Sequence, residues 1–199
     1  MHYPTDEDCL LGPIIPEVRE LPVVGAIGEL SVHVVDRSVS ELNRFKLAHV
    51  AMVAQRSMPR HTVGYDGTVN ERDQRLYLLA AGDRIVAFVL TALEERFWRL
   101  SWEAIGGLKL TDEAPLMRQG FKVARVWVAS KRRRSGLALQ LLDIASTHLQ
   151  CPMAEIGWEL PFSGDGKSLV RRLLPNTFFG CGDGYTLYET LDCAPTDAT

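Results

Sequence analysis

Apolar and polar positions change period several times along the chain, and each change predicts an element. In "ELSVHVVD", residues 29–36, alternation passes into an apolar run, as a strand with one buried face requires. Ser38-Val39-Ser40-Glu41 has capping-box spacing. It opens a predicted helix with Leu42, Phe45, His49 and Val53 near one face, ending about Ser57. "SMPRHTVGYDGTVN" is rich in turn formers and reads as loop. "QRLYLLAAGDRIVAFVLTALEERFWRLS" predicts two strands around Gly82-Asp83, a pair suited to a tight hairpin. "FKVARVWVAS" predicts a strand with Val126 and Val128 on one face and Arg125 and Trp127 on the other. "RSGLALQLLDIASTHLQ" predicts a helix with Leu137, Leu141, Ile144 and His148 on one face. "MAEIGWELPFS" predicts a strand broken at Pro161, "DGKSLVRRLL" a short helix and "YTLYETL" a closing strand.

Two stretches resist this treatment. Residues 1–28 carry Pro13, Pro16 and Pro22 and read as an irregular N-terminal arm. Residues 103–121 mix glycine, proline and charge, and read as an insertion able to cover a site. The order strand, helix, hairpin, strand, helix, strand, helix, strand predicts a mixed α/β (α+β) class, with a central mixed β-sheet flanked by helices. The right-handed crossover rule puts the strand at 123–129 parallel to and beside the one at 154–160. Residues 29–192 then form one domain, and 193–199 a flexible tail.

Composition narrows the classes. The 199 residues carry a formal charge of −3, so bulk electrostatics do not make the chain a nucleic-acid binder. No apolar run reaches the ~18 residues needed to span a bilayer. The acidic, proline-broken N-terminus fits neither a secretory signal nor a transit peptide. Cys9, Cys151, Cys181 and Cys193 form no C-x-x-C pair, and no histidines have zinc-finger spacing, so no metal site is expected. Reduced thiols in the cytosol or nucleus are the expectation.

Against this neutral background, Lys131 to Arg134 stand out as four consecutive basic residues. Arg133-Arg134-Ser135-Gly136-Leu137-Ala138 matches R-x-x-G-x-A between a predicted strand and a predicted helix. The first turn of a helix has backbone N–H groups without partners, and its dipole favours an anion. Gly136 and Ala138 lack bulk, so a diphosphate can approach the backbone, and the arginines add charge around it. The alternatives are a solvated basic rim on a helix start, a nuclear address or a nucleic-acid contact. "GDGKS", 164–168, imitates the end of a phosphate-binding P-loop, but the glycine that pattern needs is Pro161, so that reading is rejected.

The basic turn, with "V-W-V" before it, resembles the acetyl-CoA-binding motif of the GNAT superfamily of N-acetyltransferases. With its flanks, "ARVWVASKRRRSGLALQLLDIA", then "WELPFS", "DGK" and "YTLYE", it resembles the acetyltransferase domain of the sister-chromatid cohesion family over roughly residues 29–190. The chain has no zinc finger of the kind that family carries, and "FSGDGK" is shorter than its counterpart. The resemblance implies a GNAT fold and acetyl-CoA as co-substrate, held by Val126, Trp127, Val128, Arg133, Arg134, Ser135, Gly136, Leu137 and Ala138. It also implies an exposed lysine of a protein as acceptor, with the cohesin ATPase head as the family's substrate, and a nuclear location.

Acetyl transfer needs a neutral amine, yet a free lysine has a pKa of ~10.4. A carboxylate acting as base, directly or through water, is the usual remedy. Glu159 and Asp165 are the candidates, the latter by its place in the turn after "ELPFS". Asp165 also reads as a turn residue or helix cap, and Glu159 as a surface strand residue. Ser130 can orient the substrate, bond the thiol, or simply cap the strand. A backbone N–H near Val128 can hold the oxyanion. Trp127 and Trp158 read as core aromatics, and Tyr185 and Tyr188 as strand packing. Two other functions stay open: a small-amine N-acetyltransferase on the same fold, and a non-enzymatic nucleic-acid or partner-binding module.

Overall fold

The structure is a computed structural model and describes residues 4–40, 50, 52–54, 56, 74–103, 116–160 and 162–182. The chain divides into two compact units. The first holds the residues up to Ala92 together with Val123–Cys151. The second holds Leu93–Lys122 and the residues from Pro152 onward.

In the first unit the arm expected to be irregular carries three elements. Helix α1, Asp6–Leu11, is closed by a capping box in which Thr5 and Asp8 satisfy each other's backbone N–H groups. A 3-10 turn follows at Pro16–Glu20. Strand β1, Val23–Ile27, pairs antiparallel with β2, Leu30–Val35. The arm is ordered by long-range bonds that local composition does not reveal. The Ile15 N–H donates to the Asp83 carbonyl at 2.7 Å, and the Ile85 N–H donates to the Pro13 carbonyl at 2.9 Å. Arg19 pairs with Asp83.

Strand β3, Arg75–Ala81, pairs with β2 and, across the two-residue Gly82-Asp83 turn, with β4, Arg84–Ser101. This is the hairpin the sequence predicts. The arm residues Ile15, Val18 and Leu21 join Val35, Leu76, Leu78, Phe88 and Trp127 in one buried cluster. Burying each large side chain there contributes roughly 1.5–3 kcal/mol. Strand β5, Leu116–Val128, enters this unit at Val123, and helix α2, Leu137–Leu149, packs on β1 and β3. Its buried positions are Leu137, Leu141, Leu142, Ala145 and Leu149. The expected face is therefore rotated: Ile144 is half-buried over Gly25, and His148 is exposed with Nδ1 3.0 Å from the Tyr77 hydroxyl. Of the helix expected from Glu41 to Ser57, Val50, Met52 to Ala54 and Arg56 are helical, and the rest lies outside the described residues. The Ser38 hydroxyl of its proposed cap donates to Asp36 at 2.6 Å.

In the second unit β4 continues to Ser101 and pairs antiparallel with β7, Thr177–Cys181. Strand β6, Gly157–Glu159, runs parallel to β7 and stands next to β5 in strand order. Neither β7 nor the start of β5 is expected from sequence. Residues 116–121 extend β5 instead of forming a loop, while 104–115 lie outside the described residues. So do Tyr185, Tyr188 and the closing strand expected at "YTLYETL". Helix α3, Gly164–Leu173, is capped by Ser163, whose hydroxyl accepts the Gly166 N–H at 3.1 Å. The P-loop look-alike is thus an ordinary helix start. Trp102, Phe162 and Phe178 pack together, and the Trp102 indole donates to the Leu174 carbonyl at 2.7 Å.

Strands of mixed direction with helices between them give the mixed α/β class that the element order predicts. Among the described residues no helix is long and apolar enough to cross a membrane.

Candidate active site

The expected cofactor residues all lie in the first unit. Trp127 is 2% exposed and stacks on Phe88 with ring centroids 5.9 Å apart, so its indole serves the core. Val126 and Val128 alternate with it and are half-buried. The Ala129 N–H donates to the Val86 carbonyl at 2.9 Å, and the chain then turns into a 3-10 turn, Ser130–Arg132.

The turn itself is shaped by backbone constraint. Arg133 Nε donates to the Val128 carbonyl at 3.1 Å, and the Ser135 hydroxyl donates to the Arg132 carbonyl. Arg134 and Gly136 both take positive φ, +62° and +83°. Gly136 is the N-cap of α2 and supplies no side-chain cap. The first-turn N–H groups therefore meet no capping side chain, and Lys131 to Ser135 are all exposed beside them. Leu137 is buried and anchors the turn, and Ala138 is half-buried. An uncapped helix start ringed by cations is suited to a phosphate-bearing ligand. Ser130 is exposed and makes no side-chain hydrogen bond among the described residues.

The two carboxylate candidates belong to the second unit and have different surroundings. Asp165 is exposed in the first turn of α3, where the helix dipole favours a negative charge. It makes no ion pair among the described residues. Glu159, on β6, is part of a cluster. Lys122 Nζ lies 3.2 Å from Glu159 Oε2 and 3.1 Å from Glu94 Oε2. Glu94 also accepts the backbone N–H of Glu95 at 2.9 Å and of Arg96 at 3.4 Å. Cys181 of β7, opposite Glu159 in register, is buried in the same group.

Electrostatics follow from that geometry. Burial works against the charged forms of Glu94 and Lys122, but it is outweighed at Glu94 by the Glu95 N–H and Lys122, and at Lys122 by the attraction of Glu159 and the hydrogen bonds to both carboxylates. Glu94 is held below the usual carboxylate range and Lys122 above the usual lysine range. Burial pushes the Cys181 thiol up to about 12, so it stays protonated. The sequence reading names Glu159 as a candidate but does not link it with Glu94, Lys122 or Cys181. The available signal was Lys122 itself, a charged residue inside the apolar strand "GFKVARVWV".

Within the mixed α/β architecture, a strand, a basic turn opened by a left-handed glycine and an uncapped helix form a start suited to an anionic ligand. Residues 121–178, which run from β5 through the turn, α2 and β6 into β7, match the family described as ESCO1/2 acetyl-transferase. The same fold is seen in the xEco2 acetyltransferase domain bound to a CoA conjugate, with a TM-score of 0.64 and 16% identity over 80% of this chain and 97% of that one. A second structure of the xEco2 domain gives a TM-score of 0.60 and 14% identity over 81% and 96%. No curated protein matches the sequence. The family match covers the basic turn and its flanks, and the structural likeness shows a common fold.

Proposed function

We propose that the protein transfers the acetyl group of acetyl-CoA to a lysine of a protein, that this protein is a cohesin subunit, and that the reaction takes place in the nucleus. The match of residues 121–178 to the ESCO1/2 acetyl-transferase family carries the reading, because that segment includes the whole basic turn. The xEco2 domain, a structure of the same fold, is described as bound to a CoA conjugate, which supports coenzyme A as the ligand of this turn.

In this reading the 133–138 turn and the first N–H groups of α2 hold the diphosphate. Gly136 keeps the approach open, and Arg133 and Arg134 offset the charge. Backbone N–H groups at the end of β5 stabilise the oxyanion. Glu159 receives the acceptor ammonium and takes its proton, directly or through water. The neutral amine nitrogen then bonds to the thioester carbon, the carbon–sulfur bond breaks with its electron pair going to sulfur, and the nitrogen gives up its surplus proton to the leaving thiolate, which yields the amide and the free thiol of coenzyme A. Glu159 is favoured over Asp165 because its carboxylate belongs to a built cluster. Ser130, exposed and without a side-chain hydrogen bond among the described residues, would bond the leaving thiol.

Mass spectrometry of lysine peptides incubated with labelled acetyl-CoA tests this. Acetyl-lysine formed by the parent and lost in Gly136→Glu is the expected result. Transfer to polyamines or aminoglycosides alone would make the acceptor a small amine.

A further inference from the structure

Four neighbouring strands each place one titratable group in the cluster: Glu94 from β4, Lys122 from β5, Glu159 from β6 and Cys181 from β7. The three charged members are unequally satisfied. Glu94 accepts two backbone N–H groups as well as Lys122, and its side chain is 24% exposed. Lys122 is 18% exposed and held between the two carboxylates. Glu159 is 38% exposed, and Lys122 is its sole ion-pair partner among the described residues. Cys181, as a neutral thiol, adds no charge. Two carboxylates against one ammonium leave one net negative charge, and Glu159 is the most exposed member of the three.

We propose that Lys122 is a positioning residue: shared with Glu94, its ammonium fixes the place and orientation of the Glu159 carboxylate, so that the cluster presents one negative charge to an incoming ammonium. This rests on the reading of Glu159 as the acceptor-side carboxylate. Lys122 itself is too well paired to lose its proton and act as an acetyl acceptor. Glu94 sets how much of the Lys122 charge Glu159 receives. Removing Lys122 leaves two carboxylates facing one another, and such a pair takes up its first proton at higher pH. Removing the Glu94 charge does the reverse, giving Lys122 wholly to Glu159.

The test uses the full chain as parent, Lys122→Met, Lys122→Arg and Glu94→Gln. Two readouts are taken: the pH profile of kcat/KM for acetyl transfer, and carboxyl-carbon NMR titrations of the glutamates, which need no turnover. In Lys122→Met the acid limb and the carboxyl titration should both move up by about one pH unit or more. In Glu94→Gln the acid limb should move down, and Lys122→Arg should return the profile toward the parent. Acid limbs that coincide in all four proteins would overturn the proposal, as would carboxyl titrations that do not respond to Lys122→Met. Should Lys122→Met fail to fold, the downward shift in Glu94→Gln decides alone. A parent that transfers no acetyl group overturns the functional reading instead, and the NMR titrations still decide the role of Lys122.

Discussion

At the scale of single residues, Gly136 and Glu159 carry the account. Gly136 has φ +83°, so any side chain there is strained by roughly 1–2 kcal/mol. An added Cβ meets nothing nearer than Gln140 at 3.7 Å, so Gly136→Ala should fold with that modest loss. Gly136→Glu adds negative charge at the proposed diphosphate site and should weaken acetyl-CoA binding by roughly tenfold or more in calorimetry, an effect the neutral Ala variant should largely lack. Glu159→Gln should lower turnover by about 10²–10⁴ while leaving acetyl-CoA affinity unchanged. Asp165→Asn should stay within about twofold in rate and cost at most ~1 kcal/mol, the worth of a carboxylate at a helix start. The opposite ranking in steady-state rates would give the proton to Asp165. Cys181, with its thiol pushed up to about 12, should resist thiol reagents at pH 8 in the native protein and react in denaturant.

At the scale of elements, the second unit is built around close contacts between strands. An added Cβ on Gly157 would lie 2.1 Å from Cε1 of Phe97, a fully buried ring. Gly157→Ala should therefore cost about 1–3 kcal/mol, and Phe97→Leu in the same chain should recover part of it in thermal melts. The Glu94–Lys122 pair sets a pH window for these strands. Glu94, lowered from 4.5, adds stability above that value that is lost as pH falls through its folded value. Lys122, raised from 10.5, adds stability below that value that is lost as pH rises through its folded value. Urea midpoints of Glu94→Gln should accordingly fall less steeply in acid than those of the parent. Local patterning reached some of these elements and not others. The β3–β4 hairpin and the strand–turn–helix at 123–149 were legible because alternation, Gly82-Asp83 and helical spacing are local signals. β1 was not, because its pairing with β2 and the Asp83 bonds override a proline-rich sequence. β7 was not, because "TFFGC" is short and is made a strand by β4 and β6 on its two sides.

At the scale of the whole molecule, the basic turn proposed to hold acetyl-CoA was legible as a local motif, since it is written in six consecutive residues from Arg133 to Ala138, and the structure places it at an uncapped helix start. The side proposed to receive the acceptor was readable only as isolated carboxylates. The cluster depends on residues from four strands that the fold gathers, and no spacing in the chain announces it. The functional claim that binds these parts together is transfer of an acetyl group to a lysine of a folded protein. The most direct measurement is site-resolved mass spectrometry of a purified cohesin ATPase head after incubation with the protein and labelled acetyl-CoA. Label is expected on lysine side chains of the head, formed by the parent and Asp165→Asn and lost in Gly136→Glu and Glu159→Gln. An unlabelled head, under conditions where the same preparation acetylates small amines, would contradict it.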